Sequence, residues 1–134
     1  MRKGIQTFLL KNRFSSIFLV DGIGALITAS LLFFVVAPNG SFFGTPETIV
    51  HYFALVALVF AVHSLACAPW AKKKSRFLLR IIAIANTLYC AATFSMLISF
   101  REQISLWGWI YFLLEILIVL SLARFEWKQS LKSV

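Results

Sequence analysis

Four long apolar runs, roughly residues 14 to 37, 47 to 70, 77 to 99 and 103 to 123, constrain this chain more than any other feature. Each supplies about the 20 residues that cross a 30 Å hydrocarbon core as α-helix. None alternates polar and apolar residues with period two, which disfavours a β-barrel. Over 134 residues, 60% are hydrophobic and 13% charged, an apolar excess outside the range of a soluble domain. The expected fold class is therefore an all-α membrane protein, a single domain over residues 1 to 134. The short connections make it an up-down-up-down bundle of four transmembrane helices. Arg2, Lys3, Lys11 and Arg13 precede the first run as in a secretory signal. That run, at about 24 residues, exceeds a signal's apolar region and no small-x-small cleavage site follows, so it is expected to remain as the first helix.

The net charge of +8 is distributed unevenly. Lys and Arg number four before the first run, none between the first and second, five between 71 and 80, one at Arg101 and three at the C-terminal end. This alternation places both termini and the middle loop in the cytoplasm by the positive-inside rule. An excess arranged by loop is a topology signal, and a nucleic-acid role is not expected. Lys72, Lys73, Lys74 and Arg76 in the middle loop are also placed to attract anionic lipid headgroups. In the longest outer connection, PNGSFFGTPE (38 to 47), Phe42 and Phe43 are expected at headgroup level, and Thr45 reads as the cap of the second helix. Trp70, Trp107 and Trp109 read as interfacial anchors.

The stretch LVDGIGAL (19 to 26) puts an aspartate inside the first run. An ionised carboxylate in hydrocarbon is costly, so Asp21 needs a partner, water or a neutral state. Depths counted from the inner helix ends at about 1.5 Å per residue put Asp21, His63, Asn86 and Glu115 in one layer, one residue from each helix. On the first helix Asp21 shares a stripe with Gly24, Ala25, Thr28 and Leu32, whose small members let helices approach closely. On the fourth, Glu115 stacks with Tyr111 and Gly108, and on the third Asn86 shares its face with Ala83, Tyr89, Cys90 and Thr93, with Arg80 lower down. Three explanations of Asp21 stay open: an ion pair with Arg80, a neutral acid in low dielectric, or a proton or cation shared with Glu115. The ligand- or proton-binding candidates are Asp21, Glu115, Asn86, Tyr111, His63 and Arg80. A structural hydrogen-bond network holding helix register is the alternative.

No catalytic group, metal site or cofactor is expected. His51 and His63 are twelve residues apart, about 18 Å along one helix, which excludes a haem held by both. Cys67 and Cys90 form no C-x-x-C pair and read as packing residues. Gly22 and Gly24 do not follow a strand, so a dinucleotide site has no context.

The stretches DGIGAL (21 to 26), IAIANTLYC (82 to 90) and YFLLEI (111 to 116) resemble a group of small, uncharacterised four-transmembrane-helix proteins of the bacterial inner membrane. The resemblance covers nearly the whole chain and implies architecture without an activity. Small multidrug transporters are similar in size and in carrying an acid in the first helix, where Asp21 would stand for a glutamate. The strong charge bias and the second acid, Glu115, depart from their pattern. The expectation is thus a transport-associated inner-membrane protein whose polar layer binds a small polar or cationic ligand or a proton. The alternatives are an accessory subunit of a larger membrane complex and, as a third, an intramembrane enzyme using Asp21 and Glu115 as an acid-base pair. A homodimer or a membrane-protein partner is compatible with the small interior of four helices.

Overall fold

The computed structural model describes the backbone of residues 2–68 and 75–131, with side chains for residues 16–68 and 77–131. Trp70, Lys72, Lys73 and Lys74 lie outside the described residues, and Arg76 is described by its backbone alone. The elements are α1 (Arg2–Leu31), α2 (Gly40–Phe43), α3 (Glu47–Cys67), α4 (Ser75–Ser99) and α5 (Leu106–Leu131). Four segments are long and apolar enough to cross a membrane: Ser16–Val36, Glu47–Cys67, Phe77–Ser99 and Leu106–Leu131. The chain is an all-α membrane protein with four spans, and no strand occurs among the described residues.

The helix ends follow from local chemistry. After Leu31 the first span widens over Leu32–Val36, where the Ala37 N–H donates to the Leu32 carbonyl at 2.9 Å, five residues back. Pro38 follows, with no N–H and a ring that crowds the carbonyl four residues earlier, so the wider turn is where the helix yields. Asn39 Nδ2 donates to the Val35 carbonyl at 2.7 Å, satisfying a group that the end of the helix leaves bare.

The connection between α1 and α3 contains α2, which closes at Gly44 with φ +73, a left-handed conformation favoured by glycine. It docks on the start of α5: the Ser105 N–H donates to the Phe43 carbonyl at 3.0 Å and the Ser105 hydroxyl to the Phe42 carbonyl at 2.5 Å. Gly108 makes this close approach possible, since a Cβ there would lie 2.2 Å from the Phe43 oxygen. Phe42 is exposed and stacks on Trp107 at 6.0 Å between centroids. Phe43, expected beside it at headgroup level, is instead buried against Tyr111. Thr45 does not cap α3. Pro46 occupies the cap position, and the Thr45 hydroxyl is buried without a hydrogen-bond partner among the described residues.

The fourth span departs most from the sequence reading. It begins at Leu106 and runs to Leu131 instead of ending near 123, so Arg124 and Lys128 lie on helix and not in a tail. Below residue 123 the helix keeps a buried stripe of Glu126, Gln129 and Ser130 between exposed Arg124, Trp127 and Lys128.

Packing pairs α1 with α3 and α4 with α5 as two extensive hairpins, while α1 and α5 touch sparingly. One apolar cluster, including Leu32, Val36, Val50, Leu97 and Phe112, fills the end near α2. A second, with Ile17, Phe18, Leu79 and Ile82, fills the other end. The outer faces carry exposed Val20, Ile27, Phe34, Leu55, Val59 and Leu117, the apolar surface a lipid-embedded bundle presents.

Candidate functional site

On α1, α3 and α4 the buried polar residues fall between the two apolar clusters, and they meet across both hairpins. Gly22 allows α1 and α3 to cross closely, because a Cβ at that position would lie 2.6 Å from the Leu65 side chain. That approach brings the Ser64 hydroxyl onto Asp21, where it donates to Oδ2. From the other hairpin, Asn86 Nδ2 donates to Asp21 Oδ1 at 2.9 Å and to Glu126 Oε1 at 3.3 Å. The Glu126 carboxyl also lies within hydrogen-bonding reach of Asp21. Its Oε2 meets no N–H or O–H donor among the described residues. Asp21, Ser64, Asn86 and Glu126 are all buried, Glu126 completely at 0% exposure. All four spans thus contribute one residue to one cluster.

Glu115 forms a second centre. Tyr89 donates its hydroxyl to Glu115 Oε1 at 2.5 Å, and Tyr111, one turn earlier on α5, faces the same carboxyl. The Tyr89 ring is held edge-on by Phe53 and Phe60 at 5.6 and 6.1 Å. Asn86 and Tyr89 are neighbours on the inward face of α4, so the two acid centres are attached one helical turn apart there. Removing one donor to a buried acid weakens a charge-assisted or short hydrogen bond, and the Tyr89→Phe variant is expected to lose about 1–2 kcal/mol. Unfolding in mixed detergent micelles checks this, with Tyr52→Phe, on an exposed residue, as the neutral control.

The positions of the sequence candidates can now be compared. Asp21, Asn86, Glu115 and Tyr111 face the interior, but the acid joined to Asp21 through Asn86 is Glu126, not Glu115. His63 faces outward and contacts Cys67 at 3.9 Å, and the α3 residue of the cluster is its neighbour Ser64. Arg80 is exposed. Its Nε donates to Ser130 at 3.4 Å and its guanidinium lies 5.8 Å from the centre of the Trp127 ring, away from Asp21. Among the described residues no Lys, Arg or His side chain pairs with Asp21, Glu115 or Glu126. Cys90 packs as expected, near the Ile116 carbonyl at 3.7 Å. A sequence signal for Glu126 does exist. It lies eleven residues after Glu115, about 16 Å along the helix and on the same face.

A cavity of about 70 Å³ adjoins the cluster, with walls from all four spans, including Asp21, Gly24, Thr28, Ala57, Asn86 and Tyr89. At about 30 Å³ per water it has the size of two waters and is far below the 300–1,000 Å³ of a pocket for a drug-sized ligand. Nothing lies within 4 Å of where a Gly24 Cβ would stand, so glycine keeps that wall open.

Fold and site together define an integral membrane protein whose four spans enclose a pair of buried carboxyls beside a water-sized cavity. No protein-family model, curated protein or solved structure matches the chain.

Proposed function

We propose that the Asp21–Glu126 pair is an intramembrane site for a proton or a small cation, in a transport-associated protein. The observation that carries this reading is the single Asn86 amide donating to both carboxyls in a buried cluster that no cationic side chain neutralises among the described residues. Two carboxyls so close in low dielectric do not both hold full charge without compensation, and a shared proton or a bound cation is the compensation available. The cavity size supports the small ligand over a large organic one.

The charge distribution supports a multi-pass protein with cytoplasmic termini, and the quoted stretches support a place among small bacterial inner-membrane proteins. Anionic headgroups at Lys72, Lys73, Lys74 and Arg76 belong to the same reading. The competing reading is an accessory subunit in which the cluster fixes helix register. It is favoured by the fact that the cluster ties all four spans together.

Carboxyl infrared spectroscopy across pH, in lipid nanodiscs, separates the two. For a proton site, wild type gives two coupled titrations, Glu126→Gln leaves a single one, and Glu115→Gln leaves the pair unchanged. Carboxyl bands that keep one intensity across the whole pH range in every variant would leave only the register-holding role.

A further inference from the structure

The outer face of the α4–α5 hairpin carries a groove of about 470 Å³ that the carboxyl site does not use. Its upper walls are apolar, with Ile84, Leu88, Leu117 and Leu120, all open to lipid. Its lower end is not. Arg124 and Trp127 line it there, and Arg80 lies over the Trp127 ring at 5.8 Å. Arg124 is exposed, and the terminal nitrogens of Arg80 make no hydrogen bond among the described residues. One turn deeper than Arg124, the exposed Ser121 faces the groove with a hydroxyl that makes no hydrogen bond among the described residues. The nearby Thr87 hydroxyl, by contrast, is satisfied by the Ala83 carbonyl at 2.8 Å.

The order along the groove is two guanidiniums beside an interfacial tryptophan, then a single uncommitted hydroxyl, then a hydrocarbon channel. This is the order of groups in a phospholipid: phosphate, glycerol ester, acyl chain. We propose that the groove binds one anionic phospholipid, with its phosphate against Arg124 and Arg80, an ester carbonyl accepting from Ser121, and one chain along Leu117, Leu120 and Leu88. Arginine matches phosphate geometry through paired N–H donors, and basic pockets between membrane helices recognise anionic headgroups. The volume falls within the range of ligand pockets. Charge complementarity selects the lipid over a second copy of this strongly basic chain, whose Arg-bearing hairpin would be repelled.

The test is native mass spectrometry of the full chain, delipidated and then titrated with phosphatidylglycerol or with phosphatidylcholine of the same chains. Wild type should retain one phosphatidylglycerol at least fivefold more tightly than phosphatidylcholine. Arg124→Gln should abolish that preference, and Ser121→Phe, which fills the groove without changing charge, should abolish retention of either lipid. Arg80→Gln, at a site remote from Ser121, provides a second charge variant should Arg124→Gln lose its helical circular dichroism. Equal retention of both lipids by wild type overturns the proposal. So does a preference lost in the arginine variants but intact in Ser121→Phe, which would mark diffuse surface attraction. A dimer that Ser121→Phe dissociates, with no lipid retained, would assign the groove to a second copy. Glycerol phosphate competing as well as the whole lipid would reduce the site to its phosphate.

Discussion

The Asn86→Leu variant is expected to lose about 3–5 kcal/mol of stability, the range for stripping the partner from a buried charged group. Leucine nearly matches the shape of asparagine, so packing at this position on α4 is kept while both donated hydrogen bonds vanish. Magnitude decides what the cluster is. An ordinary hydrogen bond between membrane helices contributes about 0.6 kcal/mol and at most about 1.7. A loss in that lower range would make Asn86 a common interhelical tie and remove the argument that it holds a charged pair. A loss near the upper figure identifies the amide as the group that keeps Asp21 and Glu126 together. Adding Glu126→Gln to Asn86→Leu supplies a new N–H donor facing Asp21 and is expected to recover more than half of the loss. Reversible unfolding in mixed micelles provides both numbers, and a double variant no more stable than the single would contradict the assignment.

Gly44→Val is expected to lose more than about 3 kcal/mol, for a different reason and at the other end of the bundle. Its φ of +73 is left-handed, and a β-branched residue there is strained by about 1–3 kcal/mol. The Cβ would also stand 2.0 Å from the Gln103 backbone oxygen, which no side-chain rotation relieves. The α2 segment would then lift from the start of α5, and the Ser105 hydrogen bonds to Phe42 and Phe43 would open. Gly24→Ala is the matched control, because nothing lies within 4 Å of its added methyl, and it should change stability by less than about 1 kcal/mol. Thermal unfolding in detergent checks the pair. Equal melting temperatures for the two variants would mean that the docked turn contributes nothing.

Much of the architecture was legible because span length and apolarity are set by the bilayer itself. The start of the second span, at Glu47, coincides with the sequence boundary. The end of the fourth was missed because Arg124 reads as the first residue beyond hydrocarbon. A long side chain can reach the surface while its helix continues, and the buried face below it is hidden from any hydropathy average. That error removed Glu126 from consideration and made Glu115 the expected companion of Asp21. The inward stripe on α4 was legible, since Ala83, Asn86, Tyr89, Cys90 and Thr93 recur at helical spacing and are all buried. Choosing Ser64 over His63 was not, because the two are adjacent and the rotation of α3 against α1, which meet closely at Gly22 and Leu65, decides which one points inward.

The placement of Glu126 in the final turns of the last helix has a consequence for biosynthesis. When α1 leaves the ribosome, Asp21 opposes its own insertion by about 2.5–3.5 kcal/mol, which the rest of the run outweighs. Its first companion, Ser64, arrives on the same hairpin, and the Asn86 amide follows with α4. The second carboxyl emerges only with the far end of α5, after all of α1, α3 and α4, so the first hairpin precedes the residue that joins it to the second. A nascent chain that stops short of Glu126 would carry all four apolar runs and yet be unlatched. Synthesis of the far end of α5 is thereby what closes the bundle.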